Sequence, residues 1–168
     1  LYAVTVPVFI RFLSSINGMI DKAENFALAR KVPIEYLLNA RLFPDQFSFI
    51  KQVQVASDQA KGAAARLAAI EAPKMEDIET TVEELRARIA RTIDFLNSLK
   101  PEQFEEAEHR KITLPYFQGK YLEGFDYTVE YVLANFFFHV VTAYDILRSN
   151  GVPVGKGDFI TSLTLKNL

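Results

Sequence analysis

Over residues 4–29 the apolar side chains Val8, Phe9, Phe12, Ile16, Met19, Ile20, Ala23, Phe26 and Ala27 recur at steps of three and four, with Arg11, Asp21, Lys22 and Glu24 on the remaining surface. That period predicts an amphipathic helix. Pro33 permits a short turn of helix over 34–40, and Pro44, tolerated in a first helical turn, opens a second long helix expected to reach Ile70. A third helix, over 76–99, places Ile78, Val82, Leu85, Ile89, Ile93 and Leu96 on one stripe. Glu83, Glu84, Arg86, Arg88 and Arg91 cover the rest, and Pro101 stops it. Over 112–127 the helical spacing vanishes and β-formers flank Gln118-Gly119-Lys120, which predicts a hairpin or an ordered aromatic loop. The fourth helix, 128–149, ends at Asn150-Gly151 and Pro153, and 152–168 reads as an ordered tail or short helix. Four long amphipathic segments, each about 30–40 Å at 1.5 Å per residue, predict a single all-α domain built as a four-helix bundle.

The fourth helix is more apolar than a surface helix requires. With Phe136 as reference and about 100° per residue, Val129, Val132, Leu133, Val140, Ala143, Tyr144 and Leu147 form a complete core face, while Phe138 and Val141 lie on the far side. A helix apolar all round is covered all round. The cover is either the chain's own hairpin and tail or the second subunit of a homodimer.

Composition narrows the chemistry. The 168 residues include 19 basic and 21 acidic side chains, no Cys and two His. The absence of cysteine removes disulfides, thiol nucleophiles and thiolate metal sites, leaving oxygen and imidazole groups. A net charge of −2 without a basic run argues against nucleic acid as a partner. The apolar run from Val4 to Ile10 is short and broken by Arg11, so neither a signal peptide nor a membrane span is expected, and the expected address is the cytoplasm.

Candidate site residues are polar groups where the pattern calls for core. On the second helix the row Phe43, Phe47 and Ile50 continues into Gln54, Asp58 and Lys61. Either the row surfaces there, with Asp58 and Lys61 as an i,i+3 ion pair, or it lines a polar pocket between helices. His139 lies on the flank of the fourth helix's core face, with Asn135 one turn before it, whereas His109 sits in a charged run of loop character. Tyr116, Phe117, Tyr121, Phe125, Tyr127 and Tyr131 either cover the core or line a ligand mouth. The stretch GVPVGKGDF lacks the spacing and the hydroxyl of a phosphate-binding loop and reads as a turn. The acidic run Glu102, Glu105, Glu106 and Glu108 reads as a solvated helix end.

The segments LLNARLFPDQFSFIKQVQVASDQAKGAAARLA (37–68) and NFFFHVVTAYDILRSNGVPVGKGDF (135–159) resemble a bacterial and fungal family of unknown function within the DinB/YfiT-like four-helix-bundle superfamily. The resemblance covers nearly the whole chain, including the insertion between helices three and four. It implies a DinB/YfiT-like bundle. Members of the wider superfamily commonly hold a divalent metal through three histidines, one on the second helix and an H-x3-H pair on the fourth, and several are thiol-dependent transferases or isomerases. The resemblance matches His139 to the first histidine of that pair, Ala143 to the second and Gln54 to the second-helix ligand. Two of three imidazoles are then missing, a poor set for Ni²⁺ or Zn²⁺.

Two functional readings follow. In the first, the chain binds a small molecule or partner without metal or cofactor, through Gln54, Asp58, Asn135, His139 and Tyr131. In the second it is a divalent-metal-dependent transferase or hydrolase in which His139 and Asp58 hold Ni or Zn.

Overall fold

A computed structural model describes residues 1–167. Helix α1 (Tyr2–Arg30) is followed by the short α2 (Glu35–Asn39), then α3 (Phe49–Leu67) and α4 (Val82–Ser98). A 3-10 turn over Pro101–Phe104 leads to a hairpin of two short antiparallel strands, β1 (Lys111–Ile112) and β2 (Leu122–Glu123), in which Lys111 faces Glu123 and Ile112 faces Leu122. From there 124–149 is one continuous helical run: α5 (Gly124–Asp126), a π-helical turn (Tyr127–Val132) and α6 (Leu133–Ser149). The short α7 (Lys156–Phe159) ends the secondary structure. The bundle and the hairpin between its third and fourth long helices agree with the periodicity. Gln118 and Gly119 both take positive φ at the hairpin tip, and Gly151 does so after α6, as the turn signals require.

Two helix starts differ from expectation. The second long helix begins at Phe49, five residues after Pro44. Arg41 Nη1 donates to the carbonyls of Pro44 and Gln46, and Phe49 N–H donates to Ala40 O, so 40–48 is held as a compact turn. The third begins at Val82, where Thr81 caps it. Thr81 Oγ1 accepts from Glu84 N–H and the Glu84 carboxylate accepts from Thr81 N–H, a reciprocal capping box. Ile78, expected on the core stripe, is therefore in an exposed loop, and its neighbour Glu79 is buried instead.

The core joins Phe9, Leu13 and Ile16 of α1, Val53, Ala60 and Leu67 of α3, Leu85 and Ile89 of α4, and Phe136, Val140 and Leu147 of α6. By length and composition α1 alone among the described helices is long and apolar enough to cross a membrane, but its apolar stripe is a side of this core. The chain covers part of the outer side of α6 itself. Phe12 and Phe159 meet at 5.0 Å between ring centroids; Phe137 sits edge-on to Phe12, and Tyr144 edge-on to Phe159. Phe138 and Val141 remain exposed, the part of that helix its own segments do not cover.

Candidate functional site

Two polar clusters flank α3, and the reason is helical geometry. Positions 52 and 54 are separated by about 200° around a helix. Gln52 is therefore turned toward α6 and Gln54 toward α4 and the loop before it. The structure distributes the sequence-predicted residues accordingly: Gln54 and Asp58 on one side, Asn135, His139 and Tyr131 on the other. The side chain that meets His139 is Gln52, not Gln54, a correction of two residues to the match drawn from the resemblance.

The first cluster surrounds Arg88, whose side chain is 0% exposed. Its Nη1 donates to both oxygens of Glu79 at 3.1 Å and to Glu76 O at 3.1 Å. Its Nη2 donates to Asp58 Oδ1 at 2.7 Å and lies 2.8 Å from Asp77 Oδ1. Gln54 Nε2 donates to Glu79 Oε2 at 2.9 Å. Lys61 is 2.9 Å from Asp58, the anticipated i,i+3 pair, and Lys51 is 2.5 Å from Asp77. Burial raises the Asp77 carboxyl, but the hydrogen bond from Lys51 and the charge of Arg88 outweigh it and hold the group below the usual carboxylate range. Every carboxylate here is matched by a cation, so the cluster fastens 76–79 between α3 and α4 and offers no free acid or base.

The second cluster lies in the seam where α3 and α6 run antiparallel. Gln52 Nε2 donates to Phe47 O at 3.2 Å, which directs Gln52 Oε1 at His139 Nδ1, 2.7 Å away. A carbonyl oxygen only accepts, so Nδ1 carries the hydrogen and Nε2 keeps its lone pair. His139 Nε2 has no hydrogen-bond partner among the described residues. Burial pushes the His139 imidazole below its ordinary 6.5, so it is neutral at pH 7. Because the folded-state pKa is depressed, this group's contribution to stability is complete above the unfolded value and is lost as pH falls through the folded one. Asn135, one turn earlier, is half-buried and makes no side-chain hydrogen bond among the described residues. Ala143, one turn later, is fully buried in the core.

Tyr131 lies toward the other end of this seam. It stacks on Tyr127 with centroids 5.7 Å apart, and its hydroxyl bonds the Tyr116 hydroxyl of the hairpin. On a regular α-helix a row of positions four apart drifts by about 40° per step. The wider π turn over Tyr127–Val132 offsets part of that drift, so Tyr127 and His139 at the two ends of the row both reach α3. Beyond Tyr116 an open cleft of about 460 Å³ is lined by Tyr116, Phe117, Gln118, Lys120, Tyr121 and Leu122; neither Gln52 nor His139 lines it. The aromatic set thus divides, with Tyr127 in the core and Tyr116, Tyr121 and Phe125 exposed. His109 is exposed, 3.9 Å from Glu123.

With this geometry in view, residues 1–160 match the family described as Domain of unknown function (DUF1993). The chain belongs to the DUF1993 family. It is also similar to a crystal structure described as a DinB family member protein from Shewanella denitrificans at 1.83 Å resolution. The two share 44% sequence identity and a TM-score of 0.96, over 99% of this chain and 95% of the other. No curated protein matches the chain. The DUF1993 chain is thus a DinB-like helical bundle with a small antiparallel hairpin inserted before the last long helix.

The metal that the DinB/YfiT-like resemblance implies does not fit the side chains of this DUF1993 protein. The seam offers one imidazole and the amides of Gln52 and Asn135, with Ala143 buried in place of a further donor. Asp58, the oxygen ligand suggested by the sequence, is turned to the α4 side of α3 and bonded to Arg88 and Lys61. Among the described residues no three His, Cys, Asp or Glu side chains gather as a metal-holding group. Amides are weak donors for first-row divalent ions, which take three or more imidazole, carboxylate or thiolate ligands.

Proposed function

We propose that this protein binds a small neutral molecule at the His139 end of the α3–α6 seam, without a metal. The observation that supports this reading is the Gln52–His139 pair. Gln52 fixes the imidazole in one tautomer, and burial keeps it uncharged, so Nε2 stands as a single oriented acceptor. Asn135, four residues earlier on the same side of the helix, adds an amide with both a donor and an acceptor. The exposed ring of Phe138 stands edge-on to the His139 imidazole at 5.3 Å and supplies apolar surface. An acceptor, an amide and an exposed aromatic ring suit a compact ligand that bears an N–H or O–H donor on a flat apolar body. A metal-dependent transferase or hydrolase reading would need donors that the seam lacks.

A panel of small phenols, ureas and carboxamides, followed by NMR of the His139 ring and of the neighbouring amides, tests the proposal. Binders are expected to move the His139 resonances and to weaken about tenfold in His139→Phe, which keeps the packing and removes the acceptor. A panel without binders, or binders equally tight to His139→Phe, contradicts it.

A further inference from the structure

Arg66 lies on the same stripe of α3 as Gln52 and Gln59, at intervals of seven residues. It is about 20 Å from Gln52 at 1.5 Å per residue, and so belongs to the opposite end of the seam. Its Nη1 donates to Tyr127 Oη at 3.2 Å, and Tyr127 is fully buried. Tyr127 stacks on Tyr131, and Tyr131 shares a hydrogen bond with Tyr116. The four side chains form one connected cluster drawn from α3, the π turn and the hairpin.

A count of hydrogens gives the cluster its character. A guanidinium brings five N–H donors and each phenol one O–H. The bonds inside the cluster use one guanidinium N–H and one phenol O–H. No carboxylate of the described residues lies within ion-pair distance of Arg66. Burial raises the Tyr127 phenol, and burial with the Tyr131 neighbour raises that of Tyr116, so both remain protonated donors at neutral pH. Donors outnumber acceptors around a fixed positive charge, and the complement is a compact oxyanion.

Gly62 carries a second, independent observation. It stands inside α3, where glycine is destabilising relative to alanine. A Cβ at this position would lie 3.0 Å from Arg66 Nη1 and 3.7 Å from its Cζ and Nη2. The glycine clears the space in which the guanidinium rests one turn later on the helix. Gly62 and the Tyr127 hydroxyl therefore act as positioning groups for Arg66.

We propose that Arg66, with the one free O–H of the Tyr116–Tyr131 pair, is a binding site for the carboxylate or phosphate group of a small molecule. It stands on different residues from the His139 reading, and its test reads only this end of the seam. The test is a titration with inorganic phosphate and, separately, succinate, each against chloride at constant ionic strength, followed by NMR of the Arg66 side chain and the tyrosine rings. Saturable shifts centred on Arg66 are expected with at least one of the two, and the stronger one assigns the site to phosphates or to carboxylates. Arg66→Gln, an exposed substitution, should keep the fold and weaken binding about tenfold or more. Gly62→Ala separates binding from structure: it should raise the melting temperature through helix propensity while weakening the same anion. Absence of saturation by either anion at tens of millimolar, or an unchanged affinity in Arg66→Gln, overturns the proposal.

Discussion

Replacing Arg88 by alanine is expected to destabilise the protein by about 3–5 kcal/mol, the range for breaking a buried ion pair from one side. The guanidinium is fully buried, and its removal leaves Glu79, itself 3% exposed, with only Gln54 Nε2 and the distant, largely exposed Arg91 at 3.7 Å. The loss is predicted to be dominated by the stranded Glu79 charge. The double variant Arg88→Met/Glu79→Gln removes both charges and should recover a substantial part of it. Urea denaturation of the wild type, the single variant and the double variant measures this coupling. If Arg88→Ala loses less than about 1 kcal/mol, the cluster is not the clasp described above.

The second large effect is expected at Gly124, where the last helical run leaves β2. A Cβ there would fall 1.7 Å from Ala107 O and 2.9 Å from Ala107 C, both backbone atoms that no rotamer change can move. Phe125 N–H donates to Glu108 O at 3.0 Å, which ties this helix start to the same loop. Gly124→Ala must push 107–108 and the start of the run apart, and a loss of about 3 kcal/mol is expected, the upper end for overpacking. Gly157→Ala is the control, since a Cβ there meets nothing within 4 Å. Thermal unfolding of the two variants should separate them clearly, and equal melting temperatures would contradict the close approach.

The bundle was legible in the sequence because its stripes are long and its stops are strong. Leu85, Ile89 and Leu96 are buried as their spacing requires, and the Asn150-Gly151 stop ends α6 within a residue of expectation. The start of α4 departs from the apolar spacing for a physical reason. Ile78 continues the apolar stripe by position, but Thr81 and Glu84 form a capping box that begins the helix after it. That T-x-x-E pattern is present in the sequence and would have moved the start. Once 70–81 is loop, Glu79 is free to turn inward, and Arg88, which the sequence places on the solvated face, becomes the buried partner it needs.

In the candidate site the sequence points to residue type but not to partner. His139 stands out in the sequence as a polar residue flanking the core, and it is buried and bonded to α3 as such a residue must be. Its partner depended on which of two glutamines, two residues apart, faces α6, and periodicity alone does not decide between sides that are both largely buried. The stripe Gln52, Gln59 and Arg66 has the seven-residue spacing of one helix side, and it becomes a signal only when α6 is known to lie against it.

We propose that the polar seam between α3 and α6 of this DinB-like bundle holds its histidine as a neutral acceptor and not as a metal ligand. The most direct test is ¹⁵N NMR of the His139 ring, on protein purified without chelator or metal-affinity tag, across pH and then with one equivalent of Zn²⁺ or Ni²⁺. The Nδ1–H tautomer, a pKa below the ordinary 6.5, and resonances that one equivalent of either ion leaves in place are expected. A His139 Nε2 resonance already shifted by bound metal, or displaced stoichiometrically on adding it, would make His139 a metal ligand and overturn this proposal.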